Sequence, residues 1–191
     1  MLDSFVNKLT AHICSDDSIK VIAFGENHYE PNPFRSLFRM CLEPLAHLGF
    51  LTVALEIHCH RQEFIDQEFK DASSLESLRN LLGSRSPTSN ESVPVLDDHV
   101  AMFDKMRQLG QQLMAVDTKN RNGTIRNRHA AALIQSAISE GLKIIVNFGS
   151  IHLARTKESD SRRLVASPYM TITDLIESRG TRVFTIAQVG N

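Results

Sequence analysis

The chain has 191 residues, of which 42% are apolar and 23% charged, with 21 basic against 22 acidic side chains and a formal net charge of −1. That length suits one domain with a full hydrophobic core, and that composition excludes disorder. The balanced charge leaves no electrostatic footprint for nucleic acid or for an anionic membrane surface.

The opening "MLDSFVNKLTAHICSDD" lacks the basic start and long apolar block of a secretion signal, and predicts an amphipathic helix over 3–15. No apolar stretch approaches the roughly 20 residues of a membrane span. The expectation is a cytoplasmic protein, or one exported without a cleavable signal. "KVIAF" (20–24) reads as a strand. "NPFRSLFRMCLEPLAHLG" reads as a helix with Asn32 as N-cap, Pro33 at its first position, Gly49 as its stop and a kink expected at Pro44. "LTVALEI" (51–57) is a second strand. His58, Cys59 and His60 follow it, and three adjacent residues on a strand cannot all face one ion, so a loop or helix start fits them better.

The polar run "GSRSPTSNESVP" (83–94) predicts a loop, and "QLMAVD" (112–117) a third strand. "TIRNRHAAALIQSAISEG" places Ala130, Leu133, Ile134, Ala137 and Ile138 on one helical face and stops at Gly141. "KIIVNF" (143–148) is a fourth strand and "ARTKESDSRRLVASP" (154–168) a second polar loop. "TITDLIESRG" carries a capping signal in Thr171 and Asp174 and stops at Gly180, ahead of a fifth strand, "RVFTIAQV" (182–189). Cys14, Cys41 and Cys59 have no CxxC spacing and read as buried thiols of a reducing compartment. His12, His47, His99 and His129 read as surface or helix residues, with His129 three positions after Arg126.

The strands lack clean polar alternation, as do parallel strands covered on both faces. Strands alternating with helices then predict an α/β fold. The expectation is a single domain over 1–191, with a mostly parallel central sheet of about five strands and helices on both faces.

Two turns repeat one pattern. "VIAFGENH" and "IIVNFGSIH" each run from an apolar strand through Gly25 or Gly149 to His28 or His152. In an open parallel sheet, ligands bind outside the carboxyl ends of the strands. Both imidazoles therefore project from one rim, with an expected separation within roughly 8 Å, the span an acid–base pair can share. Glu26 sits between Gly25 and His28, Glu56 ends the second strand, and Asp117 ends the third. Arg126 and Asn127 open the helix that starts at the same edge. The two polar loops flank this rim and are expected to act as lids.

"FGENH", "ALEIH…RQEFIDQEF", "IRNRHAAALI" and "NFGSIHLA", in that order, resemble the superfamily of ChaN-like haem-binding proteins, Tiki/TraB proteins and erythromycin esterases, whose relatives also occur inside large bacterial toxins. The shared features are a GxxH turn after the first strand, a Glu ending the second, an Arg-Asn or Arg-Asp opening a later helix and a second GxxH turn. The resemblance covers about residues 20–190, is nearest to the ChaN-like branch and points to a bacterial protein. It implies a site of Glu26, His28, Glu56, Arg126 and His152, with Gly25, Asn127, Asp117 and Gly149 in support.

The leading expectation is a hydrolase acting on an ester or amide, with a small-molecule or peptide substrate. In a metal-free form, His28 or His152, held by Glu56 or Glu26, is a general base and Arg126 faces the oxyanion. In a form that resembles the Tiki branch, His28, His152, Glu26 and Glu56 supply ligands to a divalent ion such as Mn, Co, Zn or Fe. The rival expectation is haem or another planar ligand bound without catalysis, with His28, His152 or Tyr29 as axial ligand and Arg126 on a propionate. A toxin or effector domain is the third.

Overall fold

The apolar runs pair as strands of one sheet in a computed structural model that describes residues 2–26, 33–71, 97–153 and 170–187. The strands are β1 (Ile19–Glu26), β2 (Thr52–His58), β3 (Gln112–Asp117), β4 (Ile144–Gly149) and β5 (Arg182–Ala187). Their order is β3-β2-β4-β1-β5 and every pairing is parallel. The helices are α1 (Leu2–Cys14), α2 (Pro33–His47), α3 (Gln62–Asp71), α4 (Asp97–Gln108), α5 (Gly123–Ser139), the short α6 (Ser150–Leu153) and α7 (Ile172–Glu177). A single 3-10 turn, Cys59–Arg61, joins β2 to α3 and holds Cys59 and His60, whereas His58, expected in a loop or helix start, is the last residue of β2, where it pairs with Asp117. The fold class is the α/β one expected, and the sheet, expected to be mostly parallel, is parallel throughout the described strands. Asn32, both polar loops and residues 188–189 of the fifth run lie outside the described residues.

Successive strand residues point to opposite faces, and both faces are buried. Ile22, Phe24, Val53, Leu55 and Ile145 pack under α1 to α4, which contribute Leu9, Phe38, Leu42, Ile65 and Phe103. Val21, Ala23, Ala54, Val146 and Phe148 pack under α5 to α7, where Ala130, Ala131 and Ile134 let α5 lie close to the sheet. α2 runs from Pro33 to His47 through Pro44 without a break. Gly49 and Gly141, with φ of 86° and 88°, supply the left-handed residues that end α2 and α5.

Burial differs among the thiols. Cys41 is buried, and desolvation pushes its pKa up to about 12, which makes it inert. Cys59 is half-buried, and Cys14, expected inside, is exposed at the end of α1 because Val6, Leu9 and Ile13 take the inward stripe.

Strand β3 is an edge of the sheet, and a side chain covers part of it. Gln62 donates from Nε2 to the Leu113 carbonyl at 2.9 Å and accepts the Ala115 N–H on Oε1 at 2.6 Å. One amide thus supplies both bonds a neighbouring strand would make, which blunts an edge that would otherwise pair with another chain. Gln62→Ala is expected to cost about 1–3 kcal/mol in urea unfolding and to raise the aggregation rate. Unchanged unfolding would remove Gln62 from this role.

Candidate functional site

Four strands end along one rim, at Glu26, His58, Asp117 and Gly149. β1 is followed by α2 on one face of the sheet, whereas its neighbour β4 is followed by α6 and α7 on the other. Opposed departures from adjacent strands open a crevice at their carboxyl ends.

Arg126 reaches the rim because Asn122 starts α5, its side chain accepting the N–H groups of Thr124 and Ile125. The guanidinium then meets two carboxylates. Nε donates to Asp117 Oδ1 at 2.8 Å and Nη2 to Asp117 Oδ2 at 2.7 Å, a bidentate fork, while Nη2 also reaches Glu56 Oε1 at 2.8 Å. The other oxygen of Glu56 accepts the Gly149 N–H at 2.9 Å, tying the end of β2 to the end of β4. Hydrogen bonding to Asp117 is the main cause that holds the Arg126 pKa above its ordinary value, against the opposing effect of burial. Two carboxylates around one guanidinium give this cluster a formal charge of −1.

A second chain of bonds fixes His152. Asn127 is fully buried, and its Nδ2 donates to the Met170 carbonyl at 2.9 Å. A carbonyl only accepts, so the amide orientation is set and Oδ1 faces His152 Nδ1 at 2.7 Å. Nδ1 must then carry the proton, and the lone pair of the neutral ring lies on Nε2. Phe148 packs edge-on against the imidazole with centroids 5.2 Å apart, and the Thr173 hydroxyl ties down the Leu153 carbonyl at 2.8 Å.

Glu26, 5% exposed, is the register partner of Gly149, and its carboxylate pairs with Arg35 of α2 at 3.6 Å. Before it, Gly25 lets the β4–α6 turn approach: an added Cβ would lie 3.0 Å from Ser150 Cα. Ser150 begins the helix that carries His152. Gly25→Ala is therefore expected to displace α6 and cost about 1–3 kcal/mol, with a disturbed His152 ring signal in NMR. An unshifted ring with full stability would contradict that contact.

Of the sequence candidates, Glu56, Asp117, Arg126 and Gly149 join through hydrogen bonds, with Asn127 and His152 alongside through the adjacent positions 126 and 127. Glu26 adjoins them through the sheet. His28 and Tyr29 lie outside the described residues, and so does the expected His28–His152 spacing. Sequence reasoning overlooked Arg35, whose signal was a charge between Phe34 and Phe38 on the buried side of α2. His58, set aside with Cys59 and His60 in the sequence, is the register partner of Asp117, with Nδ1 3.9 Å from Asp117 Oδ2 and its ring 5.5 Å from that of His60. His129 is half-buried within α5. Among the described residues no three His, Cys, Asp or Glu side chains converge as metal ligands. No helix among them is long and apolar enough to cross a membrane. A groove of about 500 Å³ between α1, α2 and α4, bordered by Arg39, Glu43 and Lys105, lies away from the rim.

The sequence matches no family model and no curated protein. Its fold does match solved structures. One, described as cofacial heme binding to ChaN of Campylobacter jejuni, superposes with a TM-score of 0.65 at 13% identity, over 99% of this chain and 86% of that one. RRSP, a MARTX toxin effector domain from Vibrio vulnificus, gives 0.61 at 16% identity over 95% of this chain. A structure described as bacterial protein toxins gives 0.60 at 15% identity over 97%. The chain spans only 35% and 39% of the lengths of those two toxin structures. At such identities the likeness is one of fold: that of ChaN and of toxin effector domains.

Proposed function

We propose that the protein is a hydrolase of ester or amide bonds in which His152 is the general base. The observation that carries this reading is the Met170–Asn127–His152 chain, which leaves the ring's lone pair on Nε2. In the proposed reaction Nε2 takes a proton from water as the water oxygen bonds to the substrate carbonyl carbon. The carbonyl electron pair moves onto its oxygen. As the tetrahedral species collapses, the bond to the leaving group breaks and the imidazolium returns the proton to it. A positioned base of this kind supplies about 10²–10⁴ in rate. Arg126 is a positioning residue, because Asp117 and Glu56 occupy Nε and Nη2 and more than balance its charge. Glu56 fixes the Gly149 turn that precedes His152.

Among the described residues the donors do not gather as a metal-ligand set, and His28, one of the ligands expected for a divalent ion, lies outside them. Haem is the second reading, favoured by the ChaN likeness over 99% of this chain. The donor chemistry fits at one point, since His152 Nε2 is an axial-ligand type of nitrogen and bound haem would supply its own redox chemistry. Arg126 does not fit the propionate role, since its fork is held by Asp117. The test is a panel of p-nitrophenyl esters assayed with chelator-treated, haem-free protein, beside a hemin titration. Turnover above the buffer rate without a Soret shift supports the hydrolase. Stoichiometric hemin binding, lost in His152→Ala, with no turnover, supports the second reading.

A further inference from the structure

Asn147 is a buried polar residue that none of these interactions uses. It lies in β4, 6% exposed, opposite Phe24 of β1 and Leu55 of β2, and its Nδ2 is buried without a hydrogen-bond partner. By strand alternation its side chain shares the α2 face with Ile145, Phe24 and Glu26. Glu26 pairs with Gly149, so Asn147 sits one pleat repeat, about 6.6 Å, deeper on that face. Its level of the sheet is otherwise apolar: Phe24 meets Phe34 and Phe38 edge-on, with centroids 6.2 and 4.9 Å apart. Above it, Glu26 and Arg35 balance each other's charge.

A buried N–H without a partner costs about 1–3 kcal/mol. A donor kept at that cost, below a neutral pair and beside apolar rings, suits a neutral acceptor better than an anion. We infer that Asn147 is a specificity-determining residue whose Nδ2 anchors a neutral oxygen, a carbonyl or ether, on an apolar arm of the substrate entering on the α2 side of the rim. The inference rests on the hydrolase reading and names the substrate class of that site.

The test compares p-nitrophenyl 5-oxohexanoate with p-nitrophenyl hexanoate, which differ by one acceptor oxygen on the arm. Wild type is expected to show a KM at least about tenfold lower for the oxo ester at similar kcat, since a site built to hydrogen-bond a group rejects the analogue lacking it. Asn147→Leu and Asn147→Ala should abolish that preference while at least one keeps or raises Tm, because each removes an unpaired donor. Equal KM values in wild type overturn the inference. So does a Tm loss of several degrees in both variants with the preference intact, which would make Asn147 structural. If wild type hydrolyses neither ester, the hydrolase reading is what fails. Thermal shifts with methyl 5-oxohexanoate and methyl hexanoate then decide: a larger shift for the oxo ester, lost in both variants, upholds the anchor, and equal shifts refute it.

Discussion

Replacing His152 with Ala is expected to lower kcat/KM for p-nitrophenyl ester hydrolysis by about 10²–10⁴. The fold should survive the change, because the ring lies in the short α6 beyond the end of β4 and not in the centre of either hydrophobic layer. Asn127→Ala should reproduce part of the loss. It keeps the imidazole but removes the acceptor that sets Nδ1–H, so either nitrogen can then carry the proton. Asn127 also holds Met170, so its variant should lose stability as well as rate. An activity unchanged in His152→Ala would end the base assignment, and Asn127→Ala more active than wild type would end the tautomer argument.

Arg126→Ala is expected to be the most destabilising substitution at the rim. It leaves Asp117, 7% exposed at the side chain, and Glu56, 17% exposed, facing each other across the space the guanidinium filled. Removing one partner of a buried pair costs about 3–5 kcal/mol. The Arg126 side chain is itself 23% exposed, which sets the expectation at the lower end. A loss of about 3 kcal/mol in a domain of this size lowers Tm by about 6–12 °C. Arg126→Lys should recover little, since one ammonium cannot form the fork onto Asp117 and reach Glu56 as well. A Tm within a degree of wild type for Arg126→Ala would show that the two carboxylates do not depend on it.

Strand positions were legible because two-sided burial imposes short, continuous apolar runs, and each strand lies within a residue or two of its run. The rim followed from that, since parallel strands must end on one edge. Partners on the rim were less legible. Sequence order placed Glu56, Asp117 and Arg126 near one another, but not the fork of Arg126 onto Asp117. The register shift between Leu55 and His58 in the β2–β3 pairing helps decide which side chains meet, and no residue type announces it. Helix α4 escaped notice because its inward set, Met102, Phe103 and Met106, is too short to show a period. Arg35 and Gln62 drew no notice, because what engages them lies on other elements: a carboxylate on β1 and, far off in sequence, the open edge of β3.

In the proposed reaction His152 is the base, with Nδ1 protonated and the lone pair on Nε2. Two-bond 1H–15N correlation of the imidazoles at a pH where the ring is neutral tests it directly, with His152→Ala used to assign the signal. A pyrrole-type Nδ1 and a pyridine-type Nε2 are expected for His152, and Asn127→Ala should move both toward a tautomeric average. A pyrrole-type Nε2 in the wild-type protein would contradict it.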